Sequence, residues 1–524
     1  MLIGQHRVQL IPLWRSFLIM CCTLALSACS NGREEAAQNA LLAQQAYQSG
    51  NLQAARSAIN EAILARDDIV DYHLLRAQIE LSLNSHGSAY NAFSDALALD
   101  ATNGQALLGV AQLGLTTGHL RESLEATEKV LTLAPGSVDA LLIRGIHSII
   151  KRDYTEAIEY GDKILAASPG HEGGTVLKAR ALFMSRRPDE ALETLDRISG
   201  DASESVPAAL TRLEIFRTSR QPQQMAAEFA RLRRLRPDDL ALKADEANLL
   251  FKMGDRRKAH SRILEILSNP DADGATAELA VSLWTEYGAD DVPADALAAS
   301  ANKGSLAARR ALARFLIRSA RAAEANLAIS KIPGNAKDGL RSRYLLLVNT
   351  TDDGLKLARR VLGEDATDCD ALIAASEGSL RAAKPDEALR FAQVGAAECP
   401  EQAASWLANA KAYQALGRAS GVNRAFVQGL DQNKQNSELT QEYGRWLVSE
   451  GRTREAVAMA RRLTRYAPAL MSGWRQYLDL CRRFQPSCVT SAERGLDEAR
   501  TLLGVDLPPG TSPPNGLFGR LIER

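Results

Sequence analysis

Residues Val138 to Pro169 read VDALLIRGIHSIIKRDYTEAIEYGDKILAASP, and this stretch decides the fold. Its pattern predicts two short helices, with Asp153 and Tyr154 at the turn between them and Pro169 ending the second. Small and large apolar residues share one stripe of each predicted helix: Leu141, Gly145, Ser148, Ala157, Gly161 and Ile164. Neither helix can bury its stripe alone, so the stretch requires neighbouring copies of itself.

Such copies recur along the chain at a constant spacing, the distance from Val138 to Glu172. Counting in equal steps of this length in both directions from Val138 gives further repeat starts without any insertion at Ala36, Val70, Gly104, Val206 and Leu240. A small residue is expected where two helix backbones approach closely. In the first helix this position holds Ala43, Ala77, Ala111, Gly145, Ala179, Leu213 and Ala247. In the second helix it holds Ala55, Ala89, Ser123, Ala157, Ala191, Met225 and Ala259.

At these positions the sequence resembles the tetratricopeptide repeat, a helix–turn–helix unit of about 34 residues that stacks into a solenoid. The resemblance implies an all-α fold of tandem helical hairpins, stacked as a right-handed α-solenoid superhelix. The composition agrees, because aromatic residues make up only 5% of the chain and no alternating Val/Ile/Thr runs suggest strands.

The repeat pattern predicts six segments. Residues 1–28 form a signal peptide and residues 29–35 a lipid-anchored linker, followed by regular repeats over 36–273. The period weakens over 274–368, where Pro293 occupies the small position, and three degenerate hairpins are expected there, with a change of curvature or a hinge. It returns over 369–504, with starts at Cys369, Ala403, Ser437 and Met471, and residues 505–524 form a Pro-rich tail.

The N-terminus has the features of a targeting segment. Arg7 and Arg15 precede an apolar run, Ser16 to Ala28, that is too short to span a membrane. The run ends in Leu26-Ser27-Ala28-Cys29, which resembles the bacterial lipobox, and the resemblance implies lipidation of Cys29. Ser30 in the next position favours the outer membrane, with the protein facing the periplasm. The alternative is a buried apolar segment with an ordinary cysteine.

Four further cysteines remain in the mature chain, and their positions suggest two disulfide bonds. Cys369 opens the first helix of its repeat and Cys399 closes the second, so antiparallel packing brings them together. Cys481 and Cys488 flank the turn of the last hairpin. An oxidising compartment would favour both bonds. The alternative is four buried free thiols.

The sequence offers little support for catalysis. It has no HExxH motif, no Cys/His cluster with zinc spacing and no phosphate-binding glycine motif. We therefore expect no catalytic residues, no metal and no cofactor. Lys+Arg and Asp+Glu balance at 63 each, which removes any global electrostatic reason to expect nucleic acid as a partner.

In this family the first helices line a concave surface, and function is expected there. An apolar row occupies the fifth position of the first helices, with Ile146 beside it: Leu74, Leu108, Leu142, Val176 and Leu210. The row is interpreted as a groove for an extended or amphipathic segment of a partner protein. The alternative is that these residues only pack against neighbouring first helices.

The lipobox, the tandem repeats and the lack of a catalytic set resemble the lipoproteins of exopolysaccharide synthesis and export systems. The resemblance implies a non-enzymatic scaffold that holds protein partners of an envelope complex together and reaches the membrane through its N-terminal lipid. The alternative is an assembly factor for a pilus, a secretin or an outer-membrane protein. A repeat-bearing enzyme is third, because hairpins already occupy every domain-sized stretch.

Overall fold

The computed structural model of this chain describes residues 32–197 and 205–500. The predicted signal peptide, Cys29 and the Pro-rich tail lie outside the described residues. Within the described ranges every regular element is a helix, which confirms the all-α solenoid prediction. The chain divides into two compact units between Thr211 and Arg212, called here the N-terminal and C-terminal units.

The N-terminal unit begins with α1 over residues 32–48. Nine helices follow it: α2 Leu52–Ala65, α3 Val70–Ser82, α4 His86–Leu99, α5 Gly104–Thr117, α6 Leu120–Leu133, α7 Val138–Ile150, α8 Tyr154–Ala167, α9 Glu172–Met184 and α10 Pro188–Asp196. The next helix, α11 Val206–Thr218, crosses the boundary between the units. Odd-numbered helices are the first helices of hairpins and even-numbered ones the second.

The C-terminal unit continues the same alternation. Its regular hairpins comprise α12 Pro222–Leu235, α13 Leu240–Lys252, α14 Arg256–Leu267, α21 Cys369–Arg381, α22 Pro385–Glu398, α23 Ala403–Ala415, α24 Ala419–Gln432, α25 Ser437–Ser449, α26 Thr453–Tyr466, α27 Met471–Phe484 and α28 Val489–Ala499. Between them lie α15 Gly274–Tyr287, α16 Ala294–Lys303, α17 Leu306–Arg318, α18 Ala322–Ser330, α19 Asp338–Leu347 and α20 Thr351–Glu364. Short 3₁₀ helices occupy Gly334–Lys337 and Pro486–Cys488.

The repeat starts coincide with helix starts because local sequence signals recur with the period. Many first helices are capped by the residue that precedes them. Its side chain accepts a hydrogen bond from the backbone N–H three residues later, as in Asn103, Ser137, Asp239, Asp368 and Asn436. The turn inside many hairpins contains a residue with positive φ, such as Gly118 at 85° and Arg152 at 64°. The residue with positive φ ends the first helix of a hairpin, and the capping residue begins the first helix of the next hairpin.

The small positions of the repeats lie where helix backbones pack closely, and such packing requires them to be buried. All fourteen are buried in the structure, and most of them are alanines with no exposed surface. The fit is tight elsewhere too, since a Cβ built on Gly109 of α5 would overlap the ring of Phe93 on α4. Packing between each hairpin and its neighbour therefore forms the core of the stack.

The middle stretch of the C-terminal unit differs from the regular repeats in length. Its hairpins start at Gly274, Leu306 and Asp338, and the next regular one starts at Cys369, so each start after Gly274 follows the previous one by fewer residues than the regular period. Two of its three second helices are also short, with 10 residues in α16 and 9 in α18, whereas α20 has 14. These three hairpins occupy the stretch in which the sequence period weakens, and Pro293 directly precedes α16.

A buried ion cluster joins the first helices of this stretch. Asp370 on α21 is 6% exposed and accepts from Arg314 on α17 at 2.9 Å and from Arg343 on α19 at 2.9 Å. Burial alone would raise the pKa of Asp370, but the charges and hydrogen bonds of the two arginines outweigh it and lower that pKa. The carboxylate therefore stays ionised and ties α17, α19 and α21 together.

None of the helices in residues 32–197 and 205–500 is both long enough and apolar enough to cross a bilayer.

Candidate binding site

The apolar row predicted as a groove lies in the N-terminal unit and is only partly accessible. Leu74, Val176 and Leu210 are buried. The other three, Leu108, Leu142 and Ile146, are half-buried and pack against neighbouring buried clusters. Half of the row is therefore buried and half is partly accessible, and its binding role stays a prediction.

A second inner surface, lined mainly by first helices, lies in the C-terminal unit. Here the stack of hairpins returns on itself, so α13 and α15 meet the last repeat. The Lys252 Nζ at the end of α13 donates to the carbonyl of Ala469 at 2.9 Å and to that of Ala499 at 2.6 Å. Glu286 of α15 accepts from the backbone N–H of Ser472 at 2.8 Å. We call these bonds the closing contacts.

The closing contacts are partly shielded from water. Burial raises the pKa of Glu286, and its hydrogen bonds with Ser472 and the nearby charges of Arg475 and Lys252 oppose that rise. The hydroxyl of Tyr287 next to it donates to Asn248 at 2.8 Å, and burial raises the pKa of this tyrosine too. Closure therefore draws polar groups of α13 and α15 into the inside of the unit.

A cavity of about 800 Å³, open to solvent, lies between the helices that the closing contacts bring together. Its walls come from the C-terminal ends of α15 and α17 on one side and from α25 and α27 on the other. Five arginines line it, against three acidic residues: Arg318, Arg321, Arg445, Arg475 and Arg483, with Asp290, Glu438 and Asp479. The excess of guanidinium groups gives the cavity a positive character.

The arginines of the cavity differ in how many hydrogen bonds and ion pairs they form with the rest of the protein. Arg321 is held by Glu324 at 2.6 Å and by the carbonyl of Ala289 at 2.9 Å, so it is structural. Arg445 bonds to Glu442 at 2.7 Å and Arg483 to Asp479 at 3.2 Å, but both arginines are more than half exposed. Arg475 forms no ion pair within 4.0 Å with a carboxylate of the described residues, although its charge acts on the nearby Glu286.

The floor of the cavity is apolar but closed. Trp284 and Phe315 contribute to it, yet they are only 1% and 4% exposed. Side-chain amides and hydroxyls, including Gln441, Gln476 and Ser319, stand around it and can bond to a main chain. The site thus combines guanidinium groups and neutral polar groups above buried aromatic side chains.

One ion pair crosses the interior. Arg318 of α17 lies 3.7 Å from Glu438 of α25, and it also donates to Thr285 at 2.6 Å. Two further cavities, of about 480 and 830 Å³, share this pair with the first cavity. The Arg318–Glu438 pair therefore lies where the three cavities border one another.

This inner surface lies outside the row of residues that the sequence predicts, although the repeat positions point to part of it. The fifth-position rule that selected Leu74 and Leu108 selects Gln441 and Arg475 when it is continued from Ser437 and Met471. Closure itself has no such signal. It depends on how the short hairpins after Gly274 orient their neighbours, and the period does not encode that.

The four cysteines of the C-terminal unit form two disulfide bonds in the structure. The Cα atoms of Cys369 and Cys399 lie 6.0 Å apart, and those of Cys481 and Cys488 lie 5.6 Å apart. Both separations are usual for disulfides. The bonds fasten the first regular hairpin after the short stretch and the last hairpin of the described chain.

In the ranges that the structure describes, no group of three or more His, Cys, Asp or Glu side chains could hold a metal ion.

The fold defines a helical-repeat protein, and its C-terminal unit carries the candidate site on an inner surface. Within that class, residues 108–172 and 149–212 match two family models described as tetratricopeptide repeat. The chain therefore contains tetratricopeptide repeats, and neither matching model describes an enzyme. Proteins with these repeats are generally scaffolds for protein–protein interactions. Among curated proteins, none matches this chain.

Several solved structures are similar to parts of the chain. One is pilF of Pseudomonas aeruginosa, 19% identical over 40% of this chain and 96% of its own, with a TM-score of 0.31. Another is PilW, described as a type IV pilus biogenesis factor, 19% identical over 39% and 94%, with a TM-score of 0.34. A third is YrrB, a TPR protein with an unusual peptide-binding site, 16% identical over 35% and 95%, at 0.31. Similarity this low carries no information about function.

Proposed function

We propose that this protein is a non-enzymatic scaffold that binds partner proteins through the inner surface of its C-terminal unit. The observation that carries the proposal is the cavity of about 800 Å³, because its walls are first helices and its lining mixes exposed arginines with neutral polar groups. Such a surface fits recognition of a polypeptide segment. The repeats in the chain support the same role.

The proposal extends to the place where the scaffold works. Cys29 is the proposed site of lipidation, which would anchor the protein to the outer membrane with its repeats in the periplasm. The two disulfides of the C-terminal unit support an oxidising compartment, because such bonds persist outside the cytosol. On the resemblance given above, the complex is one of exopolysaccharide synthesis or export.

Anchoring is tested by replacing the modified residue. Cys29→Ala leaves the protein unprocessed or soluble and removes it from the outer-membrane fraction, and mass spectrometry of the wild-type N-terminus finds a lipid-modified cysteine. Unchanged fractionation together with an unmodified N-terminus contradicts the lipoprotein assignment.

The scaffold role is tested by photo-crosslinking in cells, with a crosslinking amino acid placed at Gln441 inside the cavity. A matched protein carries the same group at Arg461, an exposed residue of the second helix α26. We expect the cavity position to capture a polysaccharide synthase or exporter subunit that the outer position does not. Capture of pilus or secretin components favours the alternative pathway, and identical products at both positions contradict binding inside the unit.

A further inference from the structure

The basic wall of the cavity has a regular spacing along α27. Arg475, Asp479 and Arg483 follow one another at four-residue intervals, which places them on one face of the helix. The two arginines are eight residues apart, so their attachment points are separated by about 12 Å along the helix axis. Arg445 of α25 lines the same cavity and adds a third guanidinium group.

This spacing matches that of an extended polypeptide. Four residues of an extended chain span about 13 Å, and the first, third and fifth side chains point to the same side. A segment lying along α27 can therefore place carboxylates at its first and fifth positions opposite Arg475 and Arg483. Its third side chain then faces Asp479, where a basic or neutral polar residue is accommodated and an acidic one is repelled.

We infer that the cavity binds an extended peptide segment of a partner protein with carboxylates four residues apart, facing Arg475 and Arg483. This inference rests on the proposed scaffold function and names the chemistry of its partner. Arginine suits the task because its planar guanidinium group bonds to a carboxylate through two N–H groups. Gln441 and Gln476 supply donors and acceptors for the main chain of the segment.

An acidic polysaccharide also carries carboxylates, but the cavity favours a peptide. Pyranose rings pack on exposed aromatic faces, and the two large aromatic residues at this cavity are buried, with Trp284 at 1% and Phe315 at 4% exposure. The neutral groups around the floor are amides and hydroxyls, which pair well with a main chain. A polysaccharide is therefore an outcome to be tested and not the expected ligand.

The test uses the full chain and fluorescence anisotropy with labelled peptides. One peptide carries two glutamates four residues apart, with alanine, serine and threonine elsewhere. The second carries glutamines in their place, and the third has the two glutamates two residues apart. We expect the first peptide to bind at least tenfold more tightly than the second and severalfold more tightly than the third. Raising the salt from about 0.05 M to about 0.5 M should weaken this binding, because exposed charges are screened.

Two charge-reversed proteins supply the matched comparison. Arg475→Glu with Arg483→Glu should lower the affinity for the first peptide at least tenfold. Arg461→Glu with Arg465→Glu makes the same change of net charge on α26, where neither residue lines the three cavities, and should leave the affinity within twofold. Circular dichroism and a thermal melt show whether both variants are folded. If the first variant does not fold, Arg475→Gln alone should still weaken binding of the first peptide more than that of the second.

Three results overturn the inference. They are equal affinity for the glutamate and glutamine peptides, equal binding by folded wild-type and charge-reversed protein, and tighter binding of an oligogalacturonate than of any peptide. The crosslinking experiment separates this inference from the proposed function. If Gln441 captures the same partner in wild type and in the Arg475/Arg483 variant, the scaffold function stands and the acidic-segment inference fails.

Discussion

The two units use the same hairpin but connect it differently. In the N-terminal unit, hydrogen bonds such as Tyr47 to Ser82 at 3.2 Å and Ser123 to His147 at 2.8 Å link residues that lie in the same or in adjacent repeats. In the C-terminal unit, Lys252 bonds to Ala499, 247 positions further along the chain. The C-terminal unit gains an inner surface because distant repeats meet, and the contacts that join them include a few polar ones.

The physical cause of the difference lies between Gly274 and Asp368. Regular repeats of one length stack with a constant rotation, so each one contacts its neighbours. The shortened hairpins interrupt that constancy, and Asp370 locks the first helices around them with two arginines. We therefore regard this stretch as the element that brings α13 and α15 to α27.

The largest expected effect comes from breaking this lock. Asp370→Ala removes the carboxylate that pairs with Arg314 and Arg343, so both positive charges lose this partner. The change should destabilise the C-terminal unit by about 3–5 kcal/mol. Glu493→Ala is the control, because it removes the exposed Arg482–Glu493 pair and should cost less than about 1 kcal/mol. Urea unfolding followed by tryptophan fluorescence measures both. Equal costs for the two variants would show that the cluster does not hold the short hairpins together.

The second effect concerns the disulfides. Replacing Cys369 and Cys399 by serine should lower stability by about 3–4 kcal/mol, and replacing Cys481 and Cys488 by about 2–3 kcal/mol, because the longer loop gains more freedom when opened. Differential scanning calorimetry of each pair in full-length protein tests this order. The N-terminal unit supplies the internal control, since its transition should not move. An equal shift of the unfolding transitions of both units would contradict a stabilising effect of the disulfides that is confined to the C-terminal unit.

A smaller effect is expected from crowding one interface of the N-terminal unit. Gly109→Ala places a methyl group against the ring of Phe93 and should cost about 1–3 kcal/mol. Gly104→Ala is the matched control, because nothing lies within 4 Å of its added Cβ. Hydrogen exchange should report faster opening in α4 to α6 only. Loss of protection throughout the unit would mean that its repeats do not behave as separate neighbours.

Much of this architecture could be predicted from the sequence, because the signals are local. The sequence period predicts repeat starts at Val70, Gly104, Cys369 and Ser437, and each is the first residue of a helix. The candidate site was harder to predict. The buried state of Leu74 depends on the neighbouring hairpin, and the meeting of Arg318 with Glu438 depends on the path of the chain between them. Periodicity describes a hairpin and its neighbours but not the curvature that accumulates over several of them.

The central claim, that the C-terminal unit closes on itself, is tested most directly by hydrogen exchange of Lys252→Met. This change keeps most of the apolar stem and removes the charged donor, whose bonds contribute about 1.5–3 kcal/mol. We predict roughly tenfold or faster exchange both in α13 and in residues 467–500, although more than two hundred positions separate them, with exchange in the N-terminal unit unchanged. Faster exchange confined to α13 and its sequence neighbours would contradict closure.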